Sequence, residues 1–476
     1  MYQDRMHRLL RDMNSPHMHC GAVIHVGGTK GKGSTAAMIA SIARQAGRRT
    51  GLYTSPHVRT IHERIVVDGA QITPAELDAL IERWRPTIDA ARAREGNALS
   101  HFETLTALAL AHFAASGVEV GVVEVGLGGA TDATNVFDEE TLAAAVVVPV
   151  GEDHLGALGG SLESISRAKA GIFKSQRPAI IARQSHKQAH SILTSQANDL
   201  NSVLVDVTSA TSIVEAPRLE WTLPMEADAP SSPEPWKDSR AELATRASLL
   251  LADPVASWLG VAPNTRLDLF LKLTGAHQAE NAATAVCAIA CLARHAKGSG
   301  ADLDRTAIVG GLARASLIGR FQVVRVAADS TRSSLLVFDG AHTPESAKAL
   351  AETLRAAFPS APLAVVLACA SDKNLRGICK ELQAVDPQSV TFTSTEVAGS
   401  RARSANPGQL ARAWQLEADD APRTLLCRES VQESMNAAMD HARREAGPNG
   451  VVVVTGSLHA VGEGLRMASL EQGCRC

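Results

Sequence analysis

The chain has 476 residues, a hydrophobic fraction of 45%, a charged fraction of 20% and a formal net charge of −3 at pH 7. This length exceeds one ordinary hydrophobic core and predicts two domains, and the composition is that of a globular protein. The charge balance gives no reason to expect a nucleic-acid partner, and no apolar run is long enough to span a bilayer.

The first residues are typical of a helix, over residues 5–13, and not of a signal or transit peptide. We therefore expect a cytoplasmic protein. The alternative is a mitochondrial or plastid matrix, if a targeting segment precedes these residues. The eight cysteines lack the spacing of a zinc site. We interpret them as buried thiols in a reducing compartment.

A glycine-rich stretch, residues 27–35, follows the apolar run 22–26 and precedes an alanine-rich helix that is predicted to end near Gly47. Its glycines let several N–H groups point into one concavity, and the helix dipole favours a phosphate there. Lys32 adds a positive charge, and a nearby hydroxyl can bind phosphate or its Mg²⁺. The order departs from the common P-loop because Gly33 follows the lysine. We favour a variant P-loop, and the alternative is a chance glycine-rich turn.

Short apolar runs predict parallel strands that are covered on both faces. They lie at residues 22–26, 118–125 and 143–150, with helices predicted at 74–94 and 101–116. This alternation predicts an α/β fold in which a parallel sheet carries the phosphate loop.

Polar residues follow these strands at their carboxyl ends, where parallel sheets bind ligands. Thr54-Ser55-Pro56-His57 follows the strand after the phosphate loop, although this motif is also an ordinary turn. Glu124 ends an otherwise apolar strand, and a buried carboxylate requires a partner. We favour a metal ion beside the phosphates. The alternative is a cap on the N–H groups of the glycine-rich turn 126–129.

Asp153-His154 and Lys169 come next along the chain. A lone histidine is more often a satisfied surface or core residue, and a lone lysine is more often solvated. His154, however, follows the third strand of a sheet whose first two strands carry the phosphate loop and Glu124. This placement favours a role for His154 in the same site.

Prolines and acidic residues crowd the segment 216–240, which we interpret as a surface insertion without regular structure. From Leu335 a second alternation of strands and helices begins, after helices predicted at about 278–296 and 306–315. Its strands are predicted at 335–338, 363–369, 390–393 and 451–455. The predicted domains are therefore 1–315, which contains the phosphate loop and the insertion, and 319–476, a smaller Rossmann-like α/β domain.

Two further motifs lie near this boundary. Gly319-Arg320-Phe321 lies at the junction, and Asp339-Gly340-Ala341-His342 is expected to end the first strand of the second domain. Asn281 lies near the start of the helix predicted from residue 278. Each motif is weak alone, and their shared position at strand ends and junctions gives them weight.

In chain order, these segments resemble the folylpolyglutamate synthase/dihydrofolate synthase family, within the Mur ligase superfamily of ATP-dependent amide-forming enzymes. The segment 155–163 and Gly28-Thr29-Lys30 are most similar to dihydrofolate synthases of the plant type. Ile318 and Thr343 depart from the family pattern. The matching segments cover nearly the whole chain: 25–35, 51–64, 102–106, 124–135, 153–154, 169–171, 281–284, 319–321 and 339–342.

The resemblance implies a role for each matching residue. The residues that would bind ATP are Gly31, Lys32, Gly33, Ser34, Thr35, Asn281, Arg320 and Asp339. The residues that would hold two Mg²⁺ ions are Ser55 and Glu124 for the first and His154 and Lys169 for the second, with Lys169 carbamylated. The residues that would contact the other substrates are Phe102, His342 and Ser457. The catalytic groups among them would be Lys32, His154, Lys169 and His342.

The resemblance implies dihydrofolate synthase activity, in which ATP drives the joining of L-glutamate to dihydropteroate through an acyl phosphate. The first alternative is a folylpolyglutamate synthase acting on tetrahydrofolate, or an enzyme that does both. The second is a nucleotide-binding module without catalysis. Small molecules are the expected partners of a monomeric protein, with no membrane and no nucleic acid.

Overall fold

A computed structural model describes residues 2–151, 158–222, 241–295, 303–329, 332–395, 403–419, 428–432, 434–447 and 449–471. The chain forms two compact units. The first comprises Met1–Ala216, Ala247–Lys272 and Gln278–Ser316, and the second comprises Pro217–Arg246, Leu273–His277 and Leu317–Cys476. The predicted insertion therefore begins where the chain passes from the first unit to the second.

An eight-stranded sheet forms the centre of the first unit. Its strands are β1 (Ala22–Gly27), β2 (Thr50–Tyr53), β3 (Ile65–Val67), β4 (Ala70–Gln71), β5 (Val120–Glu124), β6 (Leu142–Val147), β7 (Pro178–Ile181) and β8 (Val203–Asp206). Their spatial order is β4-β3-β2-β5-β1-β6-β7-β8. Six neighbouring strands of this order are parallel: β2, β5, β1, β6, β7 and β8. Strands β3 and β4 extend the sheet in antiparallel pairing. The three predicted parallel strands are confirmed, and they are almost wholly buried.

Helices alternate with these strands along the chain. They are α1 (Tyr2–Asp12), α2 (Lys32–Gln45), α3 (Pro74–Arg94), α4 (His101–Ala115), α5 (Leu162–Ala170), α6 (Lys187–Asp199), α7 (Val207–Ala210), α8 (Val255–Trp258), α9 (His277–His295) and α10 (Arg305–Arg314). Helix α3 has the predicted bounds because Thr73 and Glu76 form a capping box around Pro74, which occupies the first helical position.

Four more strands follow β8: β9 (Thr211–Ile213), β10 (Arg218–Thr222), β11 (Glu242–Leu251) and β12 (Thr265–Leu271). Strand β10 pairs antiparallel with the first half of β11 in the second unit. There the indole of Trp221 donates a hydrogen bond to the carbonyl of Ala357 at 3.0 Å. The prediction that no regular structure forms from residue 216 is therefore wrong for β10, because its pairing partner is distant in sequence. The rest of the predicted insertion, residues 223–240, lies outside the described residues.

A six-stranded sheet forms the centre of the second unit, in the order β13-β14-β18-β15-β16-β17. Its strands are β13 (Gln322–Asp329), β14 (Arg332–Phe338), β15 (Leu363–Leu367), β16 (Ser389–Phe392), β17 (Arg428–Val431) and β18 (Val451–Thr455). Its helices are α11 (Pro344–Ala357), α12 (Leu375–Gln383), α13 (Pro407–Asp419), α14 (Met435–Ala446) and α15 (Leu458–Glu471). All pairings are parallel except that of β13 with β14. The predicted α/β class is confirmed.

Strand β13 was not predicted, so Asp339 follows the second strand of this sheet and not the first. Residues 322–325 of β13 are only half-buried, because the strand lies at the sheet edge and pairs antiparallel with β14. An edge strand with mixed polarity lacks the continuous apolar run that marks a buried parallel strand.

Helix α1 is fixed to α4 by a buried ion pair. The Arg5 guanidinium donates to both carboxylate oxygens of Glu103, at 2.8 and 3.0 Å. Glu103 also accepts from the backbone N–H of Ser100 at 2.8 Å, which completes the N-terminal cap of α4. Burial alone raises the pKa of Glu103, but the hydrogen bonds from Arg5 and Ser100 outweigh burial and lower it.

We expect Arg5→Met to lower the free energy of unfolding by about 3–5 kcal/mol at neutral pH, since it leaves a buried carboxylate without its cation. The pKa of Glu103 is lower in the folded than in the unfolded state, so its stabilisation is present above about pH 4.3 and is lost as pH falls through the folded value. In urea titrations, the difference in the free energy of unfolding between Arg5→Met and the unaltered protein should therefore shrink below about pH 4.3. Arg8→Met is the control, because Arg8 pairs with Glu95 while its own side chain is 41% exposed, so its loss should change the free energy of unfolding far less than the loss of Arg5.

Candidate active site

The carboxyl ends of four neighbouring strands meet at one edge of the first sheet. In register, Val26 on β1 lies beside Glu124 on β5, and Tyr53 on β2 lies beside Val123. On the other side of β1, Gly27 lies beside Val147 on β6. The phosphate loop, Ser55 and Glu124 therefore share the edge where open parallel sheets bind ligands.

The phosphate loop folds as a cradle that ends on helix α2. Gly28 and Gly31 adopt φ values of 128° and 90°, which side-chain-bearing residues rarely adopt. The N–H groups of Thr29 and Lys30 both donate to the carbonyl of Pro149, at 2.9 and 3.2 Å. Helix α2 begins at Lys32, which places this cation at the positive end of the helix dipole. The loop therefore has the form of a phosphate site.

Ser34 and Thr35 are buried in the first turn of α2. The Thr35 hydroxyl has no hydrogen-bond partner in the part of the chain that the structure describes. Since a buried hydroxyl is costly without a partner, it fits a group bound at the loop. The hydroxyls of this turn are therefore chemically suited to the phosphates of a nucleotide or their metal ion.

Asn281 on α9 lies against the phosphate loop. A Cβ at Gly31 would lie 2.5 Å from Asn281 Oδ1, so only glycine leaves room for the amide. The amide nitrogen of Asn281 donates to Gln278 Oε1 at 2.9 Å, which orients its oxygen. The structure therefore brings Asn281 to the predicted ATP site, although about 250 residues separate it from the loop.

Lys169 lies beneath the same loop. Its side chain is buried on α5, and Nζ donates to the carbonyl of Gly28 at 2.7 Å. A Cβ at Gly129 would lie 3.1 Å from Lys169 Cα, so the turn after Glu124 packs on the same helix. The interpretation of Lys169 as a solvated surface residue is therefore wrong.

Glu124 and Ser55 are neighbours. The carboxylate of Glu124, 4% exposed, accepts from the backbone N–H of Ser55 at 3.0 Å, and the serine is half-buried. Among the described residues, no three His, Cys, Asp or Glu side chains cluster as metal ligands. One carboxylate and one hydroxyl still fit Mg²⁺, which is typically held by one or two carboxylates together with substrate phosphates and water. Asp153 and His154 lie outside the described residues.

Phe102 packs against the turn that follows Glu124. Its ring is half-buried and lies 6.1 Å from the ring of Tyr53. A Cβ at Gly126 would lie 2.5 Å from the Phe102 ring, so glycine is required for this approach. Phe102 therefore lies beside the turn that follows Glu124 in the candidate site.

Asp339 organises the carboxyl edge of the sheet in the second unit. It accepts from the N–H groups of Phe321 and Ala341, at 2.8 and 2.9 Å. Arg320 lies close by, since its Nη1 would be 3.1 Å from a Cβ on Gly340. Burial raises the pKa of Asp339, and the charge of Arg320 opposes this rise. The structure therefore brings Arg320 and Asp339 together.

His342 and Ser457 lie at the same edge of the second sheet, after the adjacent strands β14 and β18. His342 Nδ1 donates to the carbonyl of Gly340 at 2.8 Å. Ser457 Oγ accepts from the N–H groups of His459 and Ala460, at 3.1 and 3.2 Å, and so caps α15. The cap is a structural role for Ser457, and its substrate role stays a prediction.

Three residues beside the site have no role predicted from the sequence. His25 on β1 bonds to Thr134 at 2.8 Å, and Thr134 bonds to Asp132. The available signal was a histidine inside an otherwise apolar strand, where a buried polar group needs a partner. The three residues connect the phosphate-loop strand to the turn after Glu124.

Two Mur ligase families match the chain. The Mur ligase middle domain matches residues 26–222, and the glutamate ligase domain of Mur ligases matches residues 319–458. The first match contains the phosphate loop and Glu124, and the second contains Arg320 and Asp339. The fold and the phosphate loop therefore belong to the Mur ligase class.

Individual relatives identify the family within the Mur ligase class to which the chain belongs. A dihydrofolate synthase/folylpolyglutamate synthase of Mycobacterium tuberculosis is 32% identical over 375 residues, which are 76% of this chain and 68% of the relative. A probable bifunctional folylpolyglutamate synthase/dihydropteroate synthase of Haloferax volcanii is 31% identical over 97% of this chain, which spans about half (47%) of that relative. The chain belongs to the folylpolyglutamate synthase/dihydrofolate synthase family of ATP-dependent ligases.

Solved structures agree with this assignment. The folylpolyglutamate synthase of Mycobacterium tuberculosis complexed with ADP superposes with a TM-score of 0.77 at 28% identity, covering 98% of this chain and 94% of that one. Escherichia coli FolC in complex with DHPP and ADP superposes with a TM-score of 0.73 at 26% identity, covering 98% and 93%. In the described residues, no helix is long and apolar enough to cross a membrane.

Proposed function

We propose that the protein is a dihydrofolate synthase, which uses ATP to join L-glutamate to dihydropteroate. The observation that carries the proposal is the convergence of Lys32, Asn281 and Lys169 on one glycine-rich loop. This loop lies in a chain whose later residues match a glutamate ligase domain. Folylpolyglutamate synthesis from tetrahydrofolate, alone or in addition, is the second candidate, because the names of the relatives join the two activities.

A carboxylate is a poor acylating agent, so the reaction begins with transfer of the γ-phosphoryl group of ATP to the carboxylate of the acceptor. The N–H groups of the first turn of α2 and the ammonium of Lys32 stabilise the charge on the transferring group. The amine of glutamate then attacks the acyl phosphate, and phosphate leaves as the amide forms. Exclusion of water during this step protects the acyl phosphate from hydrolysis.

Ser55 and Glu124 would hold one Mg²⁺, and His154 with Lys169 a second. When bound, these ions supply charge neutralisation at the phosphates. In the second unit we assign Arg320 and Asp339 to the nucleotide, and His342 and Ser457 to glutamate. Phe102 is assigned to the pteroate ring, because its ring is only half-buried beside the turn after Glu124.

We also propose that Lys169 carries a carbamate in the active enzyme, since a buried lysine beside a metal site is better explained as an anion than as a cation. The neutral amine would attack CO₂ and lose a proton. Lys169→Ala is expected to abolish ligation with the fold intact, and enzyme equilibrated with ¹³C-bicarbonate should show a carbamate carbon resonance that the variant lacks. Full activity of Lys169→Ala would show that the carbamate role is wrong.

The test of the function is ATP-dependent release of phosphate with L-glutamate, in parallel with dihydropteroate and with tetrahydrofolate as acceptor. The proposal predicts dihydrofolate as a product of the first reaction. Turnover with tetrahydrofolate alone would contradict it and identify a folylpolyglutamate synthase, and turnover with both would identify an enzyme of two steps. ATP binding without turnover of either acceptor would indicate a non-catalytic module.

A further inference from the structure

A chain of hydrogen bonds runs from the centre of the first sheet to the turn after Glu124. His25, 1% exposed on β1, bonds through Nε2 to Thr134 Oγ1 at 2.8 Å. The Thr134 hydroxyl donates to Asp132 Oδ1 at 2.5 Å. The other oxygen, Asp132 Oδ2, accepts from the backbone N–H of Leu127 at 2.8 Å. Each link is buried or half-buried, where such bonds are strongest.

The bonds determine which ring nitrogen of His25 carries the proton. The Thr134 hydroxyl has one hydrogen, and it goes to the carboxylate of Asp132. Thr134 must then accept from His25, so Nε2 is protonated and Nδ1 is not. Burial, with a smaller effect of the Lys174 charge, lowers the pKa of His25 to about 3. The ring is therefore neutral at neutral pH.

The last of these hydrogen bonds, to the N–H of Leu127, lies beside the candidate site. Leu127 is three residues beyond Glu124, and the carboxylate of Asp132 accepts from the N–H groups of Leu127 and Thr134, which closes residues 127–134 into a compact loop. Asn135, after the same loop, donates to the carbonyls of Ala130 and Gly171, both at 3.1 Å, and so fastens the loop to the end of α5. The loop thus connects the strand that carries Glu124 to the helix that carries Lys169.

We propose that His25 is a positioning residue of the ligase: its Nε2–H, acting through Thr134 and Asp132, sets the loop that places Glu124 and Lys169. The proposal rests on the proposed function for its meaning. The effect of the His25 donor on the position of Glu124 does not depend on which acceptor the enzyme uses. Groups that orient metal ligands from behind typically change metal affinity or activity by about 10–100-fold when removed.

The test compares His25→Phe, which keeps a ring and removes the donor, with His25→Gln, whose amide can donate from a similar position. The measurement is the Mg²⁺ dependence of ADP affinity by calorimetry. We expect His25→Phe to raise the Mg²⁺ concentration for half-maximal tightening about 10–100-fold. ADP affinity in EDTA should stay unchanged, and His25→Gln should lie within about threefold of the unaltered protein. Equal Mg²⁺ dependence in all three folded proteins would overturn the proposal.

Two further measurements decide the case if His25→Phe does not fold. Thr134→Val removes the central hydroxyl and Thr134→Ser keeps it, so only the valine variant should weaken the Mg²⁺ dependence. In ¹⁵N-labelled unaltered protein, His25 should show the Nε2–H tautomer throughout pH 6–9. A proton on Nδ1 would refute the chain of bonds. Failure of the proposed function would appear separately, as absence of turnover by the unaltered protein with both acceptors.

Discussion

Lys32→Met is expected to lower kcat/KM for ligation by about 10³-fold, equivalent to ~4 kcal/mol of transition-state stabilisation. Lys32 begins α2 at the phosphate loop, where its charge adds to the helix dipole. Methionine keeps the length and apolar stem of the side chain and removes only the charge. Because the lysine is half-exposed, the free energy of unfolding should change by less than about 0.5 kcal/mol.

Lys187→Met is the matched control. Lys187 is also the first residue of a helix in the same unit, α6, but it is exposed and belongs to no part of the candidate site. Steady-state phosphate release with saturating glutamate should be unaffected by this change. If Lys32→Met retained more than about a tenth of the activity, the glycine-rich stretch would not act on the transferring phosphoryl group, whatever its shape.

Glu124→Gln is expected to lower kcat on the order of 10²-fold and to raise the Mg²⁺ requirement. Glutamine has nearly the same shape and retains an oxygen that can accept from Ser55, so the local backbone should persist. Excess Mg²⁺ should restore part of the activity, which is measured by titrating the metal at fixed ATP.

Glu119→Gln tests whether position on the strand, and not the loss of any carboxylate, causes the effect. Glu119 precedes β5 at its amino end, is half-exposed and accepts from the N–H of Arg49. Its replacement should leave the Mg²⁺ requirement unchanged. A normal Mg²⁺ requirement in Glu124→Gln would support the alternative, in which Glu124 only stabilises the backbone of the turn.

Local signals explain what could be predicted of the fold. Helix α3 has a capping box and an N-terminal proline within its own sequence, and β1, β5 and β6 are continuous apolar runs. Strands β10 and β13 carry no such signal, because the partner of β10 lies beyond residue 240 and β13 is itself an antiparallel edge strand. Such strands are defined by tertiary pairing, which residue order alone does not display.

The site shows the same division. The phosphate loop and the placement of Glu124 at a strand end were predictable from short motifs. The burial of Lys169 was not, because it depends on how α5 packs beneath the loop. The role of His25 was missed for a related reason, since its partner Thr134 is 109 residues away. Short motifs therefore predicted the position of the candidate site. Which buried polar groups support it depends on long-range packing.

The most direct measurement of the central claim follows oxygen. With dihydropteroate labelled with ¹⁸O in its carboxylate, and with ATP and L-glutamate in unlabelled water, the released phosphate is analysed by mass spectrometry. An acyl phosphate predicts one ¹⁸O atom in each phosphate released, because the bridging oxygen leaves with phosphorus when glutamate attacks. Unlabelled phosphate accompanying dihydrofolate would contradict the account.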